Sequence, residues 1–294
     1  MNSKTNFLER ALVGRNEWWK YIIIFLTAFL GGFILGEIPK VITDVMKINV
    51  SKNFDFAFSL LPFVFMLSIA VIMIKLMHKR SFSETVNGTK KVRWSRVFFG
   101  FAVWFIFAVI YSAGDYVFHY DNYILQFDAV KFIPLFVISL IMIPIQSSTE
   151  AFLMQGYLAQ GFGSHTHKRW LALLFPCIVF ALLHIGNPEM DKFGFVFFMA
   201  QIVFIGLFHG LLAILDDGIE LSMGTHTANN LFLSLFVTNS ASVLQSDAVF
   251  EVKTVDPLQD LLSAVVIAAI VFFILYKKYN WNLGIMNKRV EIKD

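Results

Sequence analysis

The chain has 294 residues, 57% hydrophobic and 15% charged, with a mean hydropathy of +0.67 and a formal net charge of +3. Soluble domains carry about 45–50% apolar and about 25% charged residues, so this chain has too little polar surface to coat a water-soluble globule of its size. The single cysteine, Cys177, excludes an internal disulfide framework and a multi-cysteine metal site, and its apolar surroundings assign it to packing.

A membrane span needs about 20 mostly apolar residues to cross about 30 Å of hydrocarbon. The start, MNSKTNFLERALVGRNEWWK, lacks a short apolar core followed by a cleavage pattern, so the first apolar run reads as a retained helix and not as a secretory signal. Trp18 and Trp19 beside Lys20 suit an interfacial anchor. In chain order the predicted helices cover 21–36 (reaching toward 43), 56–76, 97–117, 132–159, 170–187, 193–215, 220–238 and 259–276. Pro39, Pro134, Pro144 and Pro176 fall in or beside them, which membrane helices tolerate because neighbouring groups satisfy the freed carbonyls. No linker or internal repeat divides the chain. The expectation is an all-α polytopic membrane protein, a single membrane domain over residues 1–294 with about eight transmembrane helices.

Orientation follows from Lys and Arg. Of the 24 basic residues, 18 fall on one side: the N-terminus, the second connection (Lys75 to Arg96), the fourth connection (Lys168, Arg169) and the C-terminal tail. The other side holds Lys40, Lys47, Lys52, Lys131, Lys192 and Lys253. This division predicts both termini in the cytoplasm, and the basic face needs no nucleic acid to explain it.

Deep in the spans, one carboxylate and three imidazoles stand out: Glu150 in the fourth helix, then His184, His209 and His226 in the fifth, sixth and seventh. A charged group at mid-bilayer costs roughly 3 kcal/mol or more and usually faces the bundle interior. Asn230 joins them, because i, i+4 spacing sets it on the same helix face as His226. At about 1.5 Å per residue, His226 lies about 10 Å from the cytoplasmic end of its helix, Glu150 about 14 Å, Asn230 about 16 Å and His184 about 22 Å. The four can therefore meet near the midplane. A carboxylate with an imidazole can deprotonate a water, and a second imidazole with an amide N–H can stabilise an oxyanion. Alternatively, Glu150, His184 and His226 are candidate ligands for a divalent metal such as zinc that would lower the pKa of water. The plain alternative is interhelical hydrogen bonding worth about 1 kcal/mol per group. His209 has no partner by spacing and reads as structural.

The stretches Ser148-Thr149-Glu150-Ala151-Phe152-Leu153-Met154-Gln155, Phe180-Ala181-Leu182-Leu183-His184 and His226-Thr227-Ala228-Asn229-Asn230 fall on successive helices. Together they resemble the bacterial and archaeal CPBP or Abi-type intramembrane proteases, related to the type II CAAX prenyl endopeptidases. Those proteases carry Glu-Glu-x-x-x-Arg, Phe-x-x-x-His and His-x-x-x-Asn motifs in this order. The likeness covers residues 145–237, a protease core on helices four to seven. It implies that Glu150 and His184 activate water while His226 and Asn230 stabilise the oxyanion, with a membrane-associated peptide as substrate and a bacterial plasma membrane as location. Two positions depart from the pattern: Ala151 replaces the second Glu and Gln155 the Arg. As an i, i+4 pair, their joint loss leaves no orphan charge. Two other readings use the same residues: a non-catalytic scaffold or immunity-type relative, and a proton-coupled transporter. Transporters more often show repeated halves, which this sequence lacks.

Overall fold

The computed structural model describes residues 6–292, so Lys4 and Lys293 of the basic division lie outside it. In chain order the elements are α1 (Trp18–Val45), α2 (Lys52–Met77), α3 (Phe82–Asn87), α4 (Trp94–Phe118), β1 (Tyr123–Leu125), α5 (Ala129–Ala151), a π-helical stretch (Phe152–Leu158), α6 (Ala159–Thr166) and α7 (Arg169–Leu183). They continue with α8 (Pro188–Phe193), α9 (Phe195–Leu215), α10 (Glu220–Leu235), β2 (Val237–Asn239), β3 (Phe250–Val252) and α11 (Pro257–Tyr279). The chain is an all-α polytopic membrane protein.

A helix stands at each of the eight predicted places, and six are long and apolar enough to cross a membrane: α1, α2, α4, the continuous α5–α6 rod, α9 and α11. Two of the eight expected spans fall short by that measure. α7 is apolar but has 15 residues, about 22 Å at 1.5 Å per residue. α10 has 16 and is rich in Ser, Thr, His and Asn, because it packs inside the bundle where polar side chains find partners. The fourth predicted span also continues past residue 159 to Thr166, where Gly161 lets the rod pack closely on the Tyr21 ring.

Helix starts follow local chemistry. Ser81 and Glu84 form a capping box on α3. Asp128 caps α5, and Asp256 caps α11 ahead of Pro257, a residue whose missing N–H costs nothing there. Leu26, Leu30, Ile34, Ile110, Ile141, Ile178, Val266 and Phe273 remain exposed on the helix faces, an apolar belt that hydrocarbon solvates.

Contacts sort the helix ends into two groups. At the basic end Arg10 pairs with Glu84 at 2.5 Å, Arg93 with Glu220 at 2.6 Å and Arg96 with Asp216 at 2.9 Å. Arg169 pairs with Glu9 there, and Trp281 Nε1 donates to Asp216 Oδ1 at 3.2 Å. At the other end β1, β3 and β2 form a small sheet, antiparallel between β1 and β3 and parallel between β3 and β2. Lys52 meets Asp247 at 3.5 Å beside it, and Glu189 accepts from the Val243 N–H at 3.1 Å. Both short helices run between the groups: α7 from Arg169 toward Glu189, α10 from Glu220 to β2.

Candidate active site

α10 reaches its position because two glycines remove the side chains that would block it. A Cβ on Gly100 of α4 would stand 2.9 Å from the Leu221 carbonyl, and one on Gly224 of α10 would overlap the Val97 carbonyl. Backbone-to-backbone approach of this kind is how small residues join membrane helices. Ser222 Oγ donates to the His209 carbonyl at 2.8 Å and Thr225 Oγ1 to the Leu221 carbonyl at 3.0 Å, so the polar side of α10 is satisfied inside the bundle.

His226 and Asn230 project from one face of α10 toward α5. His226 Nε2 lies 3.4 Å from Glu150 Oε2, with side chains 9% and 16% exposed, so the pair is sheltered yet reachable. That distance exceeds a direct hydrogen bond and leaves room for tightening around a substrate. Asn230 Nδ2 donates to Gln146 Oε1 at 2.9 Å, and Gln146 stands one turn before Glu150 on α5. Glu150, His226 and Asn230 are thus brought together. Immediately beyond Glu150 the helix widens into the π-helical stretch, a geometry that recurs at functional sites. Ala151 and Gln155, the two departures from the motif, are both buried there.

His184 stands to one side. It caps the C-terminal end of α7, its ring 4.3 Å from that of Phe180, and it is tied to neither Glu150 nor Asn230 by a hydrogen bond or ion pair among the described residues. Its Nδ1 meets the Phe180 carbonyl at 2.8 Å, so Nδ1 carries the proton and Nε2 is left as a free lone pair. The three candidate metal ligands do not converge: among the described residues no three His, Cys, Asp or Glu side chains form a ligand set.

The structure adds residues that spacing did not reveal. His209, which has no partner by spacing, stacks on His226 with ring centroids 4.9 Å apart and planes 24° apart, and its Nε2 is buried without a partner. Gln146 and Asn229 were not singled out by the sequence, and the signals that could have found them are the position one turn before Glu150 and the position next to Asn230. Trp104, whose Nε1 donates to Asn229 Oδ1 at 3.3 Å, comes from α4 with no signal in the sequence. Cys177 is buried, and its Sγ donates to the Val203 carbonyl at 3.3 Å.

Residues 129–232, from the start of α5 into α10, match the family described as type II CAAX prenyl endopeptidase Rce1-like. The chain is 30% identical over 253 residues to the uncharacterized protein YyaK of Bacillus subtilis (strain 168), covering 81% of this chain and 84% of that protein. No solved structure matches the chain. With its membrane helices and this match spanning Glu150, His184, His226 and Asn230, the chain belongs to the Rce1-like, type II CAAX prenyl endopeptidase family of membrane proteins.

Proposed function

We propose that the protein is an intramembrane endopeptidase that hydrolyses a peptide bond of a membrane-associated substrate, with residues 145–237 as its protease core in one membrane domain. Glu150 takes a proton from water and the hydroxide adds to the scissile carbonyl, while the assisting role that the family resemblance gives His184 requires its Nε2 to close on the site when substrate binds. His226 and the Asn230 amide N–H stabilise the oxyanion that forms. The proton returns to the departing amine as the C–N bond breaks. The observation that carries this reading is the approach of Glu150 Oε2 to His226 Nε2 at 3.4 Å, beside an amide and without a cation partner. Ala151 and Gln155 favour a second reading, a scaffold that binds peptide without cutting it, and one experiment separates the two. Purified protein in nanodiscs is offered a panel of quenched-fluorescent peptides, with and without a C-terminal prenyl group and with and without chelator. Cleavage that falls by about 10²–10⁴-fold in Glu150→Gln supports the peptidase. Cleavage at the same rate in Glu150→Gln, or binding without cleavage by the unaltered chain, overturns it.

The same reading places the protein in a bacterial plasma membrane with eight crossings and both termini in the cytoplasm. The division of basic residues supports it, as do the two groups of helix ends. Reporters inserted after Lys91 and at Ser246 are expected on opposite sides of the membrane. Finding both on one side removes the eight-crossing arrangement.

A further inference from the structure

Trp104, Asn229, Asn230 and Gln146 form a chain of hydrogen bonds whose direction is fixed at its far end. Amide groups alone do not reveal which end is oxygen and which is nitrogen. An indole can only donate. The Asn229 atom 3.3 Å from Trp104 Nε1 is therefore its carbonyl oxygen. Asn229 must then turn its NH2 toward Asn230, where it donates to Oδ1 at 3.1 Å. Asn230 in turn presents its NH2 on the opposite side and donates to Gln146 Oε1 at 2.9 Å. That oxygen also accepts from Ser147 Oγ at 3.0 Å, which fills its two lone pairs. With its oxygen taken, the Gln146 NH2 is the group left over, and Glu150 stands one turn onward on the same face of α5. Every N–H in the chain points from Trp104 toward Gln146, one turn before Glu150.

We propose that Trp104, Asn229 and Gln146 are positioning residues that set the polarity of this chain, so that Asn230 offers a donor to the reaction site and Glu150 is held facing His226. The direction matters because a flipped Asn230 would turn an oxygen toward a developing oxyanion and repel the charge it is placed to receive. None of the three needs to touch substrate. The kinetic consequence rests on the peptidase reading, whereas the orientation of Glu150 and His226 does not.

The test therefore has two arms on the full chain in nanodiscs. In the first, NMR of ¹³Cε1-labelled histidine follows the His226 signal, identified by its loss in His226→Gln. Trp104→Phe removes the terminal donor and keeps an aromatic ring. Asn229→Leu removes both the acceptor for Trp104 and the donor to Asn230 without adding a charge. Both variants are expected to shift the His226 signal and to leave that of His165, at the basic end, in place. A His226 signal unmoved in either variant overturns the proposal. In the second arm, on any peptide the unaltered chain cleaves, both variants are expected to lower kcat by up to about 100-fold with KM unchanged, as for a misplaced reacting group. A rise in KM at constant kcat overturns positioning in favour of substrate contact. Shifted His226 signals with no cleavage by the unaltered chain would fail the peptidase reading and leave the orientation chain standing.

Discussion

Carboxylates at the basic end of the bundle and the carboxylate at its centre have opposite neighbours. Glu220 is fully buried and is held by Arg93 through Nε at 3.0 Å and Nη2 at 2.6 Å, and Asn87 donates to it as well. Glu9 has Arg169 and Glu84 has Arg10. Glu150 has an imidazole, with the Gln146 amide one turn before it. A guanidinium locks a carboxylate in its ionised form and uses its lone pairs in a fixed fork. An imidazole and an amide leave a carboxylate free to gain and lose a proton. The carboxylate–guanidinium pairs of the basic end are thus held in a fixed geometry, and the centre is left free to exchange a proton. A buried acid in this protein is therefore read by its partner more than by its depth.

The largest expected effects break this contrast in both directions. Arg93→Met leaves Glu220 buried without its cation and is expected to cost about 3–5 kcal/mol of stability. The double change Arg93→Met with Glu220→Met removes both charges and is expected to recover most of that loss. Denaturation in mild detergent measures both, and equal losses for the single and double changes would show that the pair is not a unit. Glu150→Gln is expected to do the reverse, removing turnover while thermal stability holds or rises, since no partner cation is orphaned.

A smaller effect concerns the motif positions that lack charge. Ala151→Glu alone sets a second carboxylate beside Glu150, and neighbouring carboxylates resist joint ionisation. Gln155→Arg alone buries an unpaired cation near Glu150. The two together give each new charge a partner and are expected to restore expression and turnover toward the starting level. A double-mutant cycle should return a coupling of about 0.5–3 kcal/mol. A coupling of zero would mean that the buried Ala151 and Gln155 do not act together.

The smallest expected effect lies at the basic end, where two groups titrate against each other. Burial, with the Arg80 charge second, pushes His78 down to about 4. Burial pushes Asp216 up to about 6, against Arg93 and Arg96. A lowered histidine contributes stability above about pH 6.5 that is lost as the pH falls toward about 4. A raised aspartate contributes stability below about pH 3.8 that is lost as the pH rises toward about 6. The opposed slopes flatten the stability of the unaltered chain across this window. His78→Asn should make melting temperature fall as pH rises from about 4 to 6. Asp216→Asn should make it fall as pH drops from about 6.5 to 4. Parallel curves for the two variants would remove both assignments.

Helix positions were legible because hydropathy is a property of segments, and each of the eight apolar runs became a helix, the fourth running on to Thr166. α7 and α10 were legible as helices but end at Leu183 and Leu235, before the predicted 187 and 238. Glu150, His226 and Asn230 were legible because a polar group deep in a span is conspicuous against its neighbours. His209 was conspicuous for the same reason, but its stacking on His226 depends on how α9 meets α10, which no spacing within one helix encodes. Trp104 is one of many aromatic residues in apolar runs. The ion pairs of the basic end went unread because their members, Arg93 and Glu220 among them, sit 127 positions apart at the margins of spans.

The π-helical stretch from Phe152 to Leu158 lies between Glu150 and the buried end of the same rod, where Gln160 accepts from Arg80 and donates to the Phe7 carbonyl. It acts as a phase setting between two ends that must each face a fixed partner. Removing one residue from an α-helix turns everything beyond it by about 100°. A one-residue deletion within 152–158 that returned the stretch to α-helix would absorb its slack locally, whereas the same deletion in 130–140 would swing Glu150 away from His226. This rod is therefore expected to tolerate a change of length at one place along its course, next to the residues on which chemistry depends.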